Sequence, residues 1–519
     1  MAERFGKIRP LAKKNGKITL PKTPTRLSQA PYHIILRDIV KIGLRVIFVS
    51  LLIIVMPLSG CFSNEKKSTP EPSLSPFDFS NEIPPNTFYH FANQTNAVGS
   101  EWEANLTGNN TPVWALGTYY GIGESTFEPT IGITSDGTIL MTNYRGTGDG
   151  THIIRSQDWG QNWEDVGPFN QVFPETGQVP SSNDPYLYVD KWTDRVVKFD
   201  MHALTAMFVE FSDDSGDSWS IPYSAEGYYS PQDHQSIASM PAAGHTSQSD
   251  MIYVFCINTG SSALGPQCSR SLNDGRSWDI QRPGYPIGTP QCSGLHGHVV
   301  GSNNGNVYRG NPSCDGPAVY KSDDGGYSWS EHTVSTTIGT NSHEVAVATD
   351  EADNVYAFWI SNDQLPYLSW SLDEGNSWSE PINVAPPGIN STGFPTVFAG
   401  DDGRVAVSYI GEGDDGTGWG GYISVITDIY ADMPLITSVA VNVADDILDD
   451  TNDCGQVRCG GFGDFIDIEI DDFGRPWAAL AHNVESEQGI VGTFVTGPSL
   501  FGDINSLAEL APGGPESLL

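Results

Sequence analysis

Carboxylates and imidazoles recur in this 519-residue chain within short polar phrases, each of which leads into an apolar run. The phrases are Phe127-Glu128-Pro129-Thr130, Asn183-Asp184-Pro185, Asp233-His234-Gln235-Ser236, Leu295-His296-Gly297-His298, Ser342-His343-Glu344, Gly393-Phe394-Pro395 and Gly463-Asp464-Phe465. Glu128, Asp184, His234, His343, Glu344 and Asp464 are the groups among them suited to acid–base chemistry or to holding a cation. Arg145, His202, Asp363, Glu412, His482 and Asn483 follow the second apolar run of their units. Arg145 adds a guanidinium, the side chain best shaped to grip a carboxylate. The bland reading stands beside the chemical one: polar residues at a channel rim satisfy backbone groups and water, and a single histidine there is more often a hydrogen-bonding residue than a ligand.

The elements that would position these groups are short strands. From about residue 110, brief apolar runs alternate with Gly, Asn and Asp clusters, and no long amphipathic helix stands out. Second strands are expected at Thr138–Thr142, Met251–Ile257, Asn354–Ile360, Arg404–Ile410 and Arg475–Ala481. Five of the seven units then reach an eight-residue phrase, Ser-x-Asp-x-Gly-x-Ser-Trp, beginning at Ser156, Ser212, Ser271, Ser322 and Ser371. Its turn residues are Asp158, Asp214, Asn273, Asp324 and Asp373. The short Asp or Asn side chain can accept hydrogen bonds from the backbone ahead of it, and the Gly supplies a backbone angle that other residues resist. The Trp leaves the turn with a large apolar face. Copies spaced by 49 to 59 residues indicate one supersecondary unit per repeat.

The phrase resembles the Asp-box, or bacterial neuraminidase repeat, of sialidases and related β-propellers, over most of the chain after about residue 86. The resemblance implies an all-β propeller in which the box is a structural turn between the third and fourth strands of a blade, away from the active site. Seven units predict seven four-stranded blades, with six, as in sialidases themselves, the runner-up. Units six and seven lack the box and are read as blades from their first two strands. The seventh runs out near Gly497, so a segment near Val113–Tyr119 is expected to supply its missing strand and hide the exposed edges. Strand direction then gathers the seven lead-in phrases around the axis on the face opposite the boxes.

Sialidases hold the substrate carboxylate with three arginines, the first from an Arg-Ile-Pro motif entering the first blade. Here the matching stretch is Phe127-Glu128-Pro129-Thr130-Ile131, and Glu128 stands in the arginine's place. The family's Tyr nucleophile and its Glu have no motif that transfers. The resemblance thus implies a glycan-handling protein, either a sialidase-related glycoside hydrolase or a descendant with altered chemistry. The competing reading is a non-catalytic module that binds carbohydrate or protein. Three arginines clustered at the mouth favour the first, and their absence the second.

The ends of the chain read differently. Residues 1–50 carry eleven Lys and Arg against two acidic residues, and an apolar run from Val46 to Met56 precedes Leu58-Ser59-Gly60-Cys61. This reads as a secretory signal over 1–60 whose ending resembles a lipobox, with lipid on Cys61; an uncleaved signal anchor is the alternative. Residues 61–85 read as a disordered tether, 86–500 as the propeller and 501–519 as a tail.

Beyond residue 50 the chain has 15 Lys and Arg against 61 Asp and Glu, which excludes nucleic acid as a natural partner. The expected partners are an extracellular glycan or protein and, through the lipid, the membrane; the domain is read as a monomer. No cofactor is required. The acidic loop Asp445–Asp453 could suit a divalent cation such as calcium or be a solvated surface. Six cysteines remain after Cys61, and neighbour pairing would join Cys256 to Cys268, Cys292 to Cys314 and Cys454 to Cys459, one of fifteen possible pairings. Export favours disulfides over metal thiolates.

Overall fold

Alternating apolar strands bounded by tight turns build seven antiparallel sheets around a common axis. The computed structural model describes residues 87–91 and 115–502, apart from short breaks at 145–149, 170–181, 183, 203, 205, 226–231, 243, 246, 248, 260–264, 291, 293–294, 342–343, 414–415, 417, 443–445, 451–453, 455–458 and 486. The signal, the lipobox, the whole tether and the tail beyond residue 502 lie outside these residues, as do Arg145 and His343.

Blade 1 shows the pattern: Ile131–Ile133, Ile139–Asn143, His152–Ser156 and Glu164–Gly167 pair in sequence order. The inner strands of blades 2 to 7 are Pro185–Val189, Gln232–Pro241, Val299–Gly301, Val345–Thr349, Ile389–Ala399 and Asp467–Ile470. Each touches its neighbours, and Asp467–Ile470 touches Ile131–Ile133, which closes the ring. The ring therefore has seven blades, not six, and blades 6 and 7 are complete without an Asp-box.

Closure uses the chain's N-terminal side. Leu116–Ser125 pairs with Gln488–Thr496 as the outer strand of blade 7, somewhat further along than Val113–Tyr119. Thr87–Phe91 adds a fifth strand to blade 6, against Leu435–Ala440. That outer strand of blade 6 is buried at every residue, whereas the outer strands of blades 2, 3 and 5 have two residues each. A long apolar edge requires cover; a two-residue edge does not.

The cores lie between blades. One cluster joins Phe199, Met201 and Val209 of blade 2 to Ile237, Tyr253 and Phe255 of blade 3. Another joins Tyr356 and Phe358 of blade 5 to Val405, Val407 and Tyr409 of blade 6. The three disulfides are Cys256–Cys268, Cys292–Cys314 and Cys454–Cys459. Among the described residues no helix is long and apolar enough to cross a membrane.

Candidate functional site

The lead-in phrases owe their geometry to a repeated backbone irregularity. Glu128, His234 and Phe394 occupy equivalent places, each three residues before Ile131, Ile237 or Val397, and all three have left-handed φ of 51°, 57° and 56°. The pairing register shifts between Asp233 and Ser236 and between Gly393 and Thr396. A bulge with left-handed backbone is costly for these residue types and re-aims the side chain. The residue two places on from the first two of these stitches the ring: Thr130 Oγ1 accepts from the Leu187 amide at 2.8 Å, and Ser236 Oγ from the Val299 amide at 2.8 Å.

The structure brings four of the lead-in groups together: His234, Glu344, Asp464 and Glu128. His234 Nε2 of blade 3 lies 3.3 Å from Glu344 Oε2 of blade 5, and His234 Nδ1 lies 4.0 Å from Asp464 Oδ2 of blade 7. Glu128 of blade 1 accepts the Asp464 amide at 3.2 Å. His298 Nδ1 of blade 4 lies 3.4 Å from Asp467 Oδ1 of blade 7. Between these pairs sits Phe465, edge-on to His234 at 5.0 Å and to His298 at 4.8 Å. His234, His296, Glu128, Glu344 and Phe465 are all buried.

Burial sets the electrostatics. Desolvation opposes charge on His234, but the Glu344 carboxylate, aided by Asp464 and Asp233, lifts its pKa above the ordinary histidine value. Neither of its ring nitrogens makes a well-aligned hydrogen bond among the described residues, so the contact with Glu344 is chiefly ionic. His296 goes the other way. Burial, followed by the charges of His234 and Arg309, holds it well below the usual range. One ring nitrogen, Nδ1, is 2.7 Å from its neighbour's carbonyl at Gly297, which fits a neutral ring donating there.

At the rim the surface is more open. Half-buried Phe127 and Tyr144 pair with ring centroids 5.3 Å apart. Burial raises the Tyr144 phenol pKa, and the Asp184 and Glu128 carboxylates add to the effect. An aromatic face beside two carboxylates is thus assembled from blades 1 and 2. The loop before blade 7 closes another sector, where His482 Nε2 meets Asp446 Oδ1 at 3.0 Å and Asn483 Oδ1 accepts the Gly461 amide at 2.7 Å. Asp449, Cys454 and Cys459 offer three ligand-type atoms within 4.8 Å. Cys454 and Cys459 are joined as a disulfide, so they present no thiolates to a metal.

On the opposite face the five Ser-x-Asp-x-Gly-x-Ser-Trp phrases share one bonding pattern. In each, the first Ser closes its strand and donates to the Asp or Asn, at 2.9, 2.7, 3.0, 2.8 and 2.8 Å. The Gly amide returns to that Ser at 2.8 to 2.9 Å. The same acid or amide oxygen accepts the backbone N–H four residues after the first Ser's Asp position, at 2.7 to 3.0 Å. All five turns join the third and fourth strands of their blades.

The chain is a seven-bladed β-propeller, with the same bonded turn in five of its blades. No family model matches the chain, and no curated protein matches it. Among solved structures, the propeller is similar to a protein of unknown function from Dyadobacter fermentans, at 15% identity and TM-score 0.40, covering 74% of this chain and 98% of that one. It is similar to a NanB sialidase from Streptococcus pneumoniae at 14% identity and TM-score 0.38, over 77% of this chain and 72% of that one. It is also similar to an intramolecular trans-sialidase from Ruminococcus gnavus at 13% identity and TM-score 0.37, over 74% and 98%.

The propeller's eight described arginines are each engaged by partners other than the axial carboxylates. Arg155, Arg195 and Arg270 each pair with an acid of their own blade or the next and donate to an Asp-box carbonyl of the next blade: Ser215, Asp274 and Asp324, at 3.0, 3.3 and 2.9 Å. Arg276 pairs with Asp274, and Arg282 lies over Tyr327. Arg309, Arg404 and Arg475 are buried against the Gly284 carbonyl, the Ser499 carbonyl and Asp471. Reasoning from the sequence had placed His234, Glu344, Asp464 and Glu128 on one face but missed Phe465 as the axial ring, Asp467 as the partner of His298, and Tyr144. Phe465 stood in its lead-in phrase, and Tyr144 stood one residue beyond a second strand; neither carried a charge to mark it.

Proposed function

We propose that this propeller is an exported, membrane-tethered glycan-binding protein whose mouth takes neutral carbohydrate and does not cleave sialosides. The observation that carries the reading is the half-buried Phe127–Tyr144 pair at the rim, set over the buried carboxylates of Glu128 and Asp184. A sugar ring can stack its C–H face on an aromatic side chain, and an apolar floor of this kind is the usual base of such a site. An anionic sugar would instead need a cationic clamp, and the acidic field of the domain disfavours it. The Asp-box resemblance supports the link to glycans. Three disulfides fit an oxidising compartment, and Cys61 is the proposed site of lipid.

The hydrolase reading retains one observation in its favour. Carboxylates and an imidazole do converge at His234, Glu344 and Asp464. They lie buried beside Phe465, however, so acid–base catalysis there requires Phe465 to move. Incubating the full-length protein in detergent with a fluorogenic sialoside and with a panel of neutral oligosaccharides separates the readings. Binding of neutral oligosaccharides without sialic acid release supports the proposal; sialic acid release lost on Arg145→Ala would overturn it.

A further inference from the structure

A chamber of about 100 Å³ lies between the inner strands, walled by aliphatic residues such as Val299, Ala346, Val397 and Ile468. At the mouth end, His298, Glu344 and Asp467 line it. These residues are also the ones, or the partners of the ones, that contact Phe465 and its neighbours. At the far end, Lys191 of blade 2 reaches Glu351, just beyond the inner strand of blade 5, at 3.2 Å, and Trp192 Nε1 donates to Asn303 at 3.2 Å.

We propose that Phe465, carried between Asp464 and Asp467, is a plug latched across the axis by His234 and His298, and that the latch releases the plug from the chamber as pH rises. This inference is independent of the glycan reading. The plug is held from several directions. From blade 3, His234 presents its imidazole, with Asp233 beside it. From blade 4 come His298 and the neutral His296, whose ring lies 5.1 Å from that of His234. From blade 5 comes Glu344, from blade 1 Glu128, and from blade 2 the Tyr186 ring, 6.0 Å from Phe465.

The charge arithmetic gives the direction. Protonated, His234 carries one positive charge between the carboxylates of Glu344 and Asp464. Neutral, it leaves those two carboxylates, with Asp233 and Glu128 nearby, without that charge inside a buried site, where like charges repel strongly. Asp464 belongs to the same segment as Phe465, so the repulsion acts on the plug itself. The partners of His234 hold it protonated to higher pH than a free histidine, which places the release above a pH of about 6.5. The far-end pair, Lys191 with Glu351, contains no imidazole.

Hydrogen exchange of the full-length protein, read by mass spectrometry between pH 6 and pH 9 and corrected for intrinsic rates, tests this. Protection of peptides covering residues 460–470 should fall as pH rises through the raised pKa of His234. Peptides covering 186–192 should not change. In His234→Gln, protection of 460–470 should be low and flat with pH. In Asp464→Asn, which relieves the repulsion, it should stay high to pH 9. Protection of 460–470 that is constant with pH in the wild type would overturn the proposal. So would the wild-type titration persisting in His234→Gln.

Discussion

His234 of blade 3 and Glu344 of blade 5 meet 3.3 Å apart with a whole blade between them in sequence. Apolar packing between adjacent blades fixes each sheet to its neighbour, but this pair ties two blades that are not neighbours in the ring. Its strength depends on the imidazolium. The folded-state pKa of His234 is raised, so its stabilisation is fully present below the unfolded value of about 6.5 and is lost as pH rises through the folded value. The melting temperature of His234→Asn should therefore lie well below wild type at pH 6 and close to it at pH 9. An equal deficit at both pH values would contradict the ionic role.

Asp428 loses its advantage in the same direction, for a different reason. Burial pushes its carboxyl up to about 6, against the help of the Leu435 amide, which it accepts at 3.1 Å. A carboxyl with a raised folded pKa favours the fold while protonated, and that advantage is lost as pH climbs through about 6. Asp428→Asn keeps the acceptor and removes the buried charge. It should stabilise the propeller by about 1–2 kcal/mol at pH 8, a value discounted for partial exposure, and by nothing at pH 4. Thermal melts at the two pH values decide it.

The Asp-box turns predict a purely structural phenotype. Asp324 accepts the Tyr327 and Ser328 amides at 3.0 and 2.8 Å and the Ser322 and Ser328 hydroxyls at 2.8 and 2.6 Å. Asp324→Ala should cost about 1–3 kcal/mol. Trp329 is packed at 6% exposure, and Trp329→Ala should cost about 3–5 kcal/mol. Denaturant melts give both numbers, and carbohydrate binding should survive wherever the protein is folded. A variant with normal melting and no binding would place the box at the site.

The blades were legible because their signals are local. Five Asp-boxes fix five hairpins, and strand alternation supplied the other two blades without a box. The axial arrangement was not legible, because it depends on contacts between residues 234, 344 and 464, each more than 100 positions from the next. Charge drew notice to those three, whereas Phe465 is one phenylalanine among 22. Asp467 sits inside a strand, where alternation alone gives no hint that its carboxylate faces His298 across the ring. The employment of arginines on the Asp-box rim shows only in three dimensions: Arg155, Arg195 and Arg270 are far in sequence from the carbonyls they hold. Thr87–Phe91 left no trace beyond composition, since five residues carry too little periodicity to mark an added edge strand.

Export makes its own prediction. If Cys61 ends a lipobox, it is the mature N-terminus and carries lipid. Mass spectrometry of the N-terminal peptide from the native membrane fraction should show a diacylglyceryl-modified Cys61. An unmodified peptide spanning residues 50–65 would establish the signal-anchor alternative instead.

The most direct test of the account is an oligosaccharide-binding profile of the full-length protein beside its Tyr144→Ala form. Neutral oligosaccharides should bind the wild type, and Tyr144→Ala should weaken that binding about tenfold while leaving the melting temperature near wild type, the loss expected when one stacked ring of a small site is removed. Sialylated ligands should bind less well than their neutral counterparts. Preferential binding of sialylated ligands, or neutral binding unchanged by Tyr144→Ala, would contradict the assignment of the rim site.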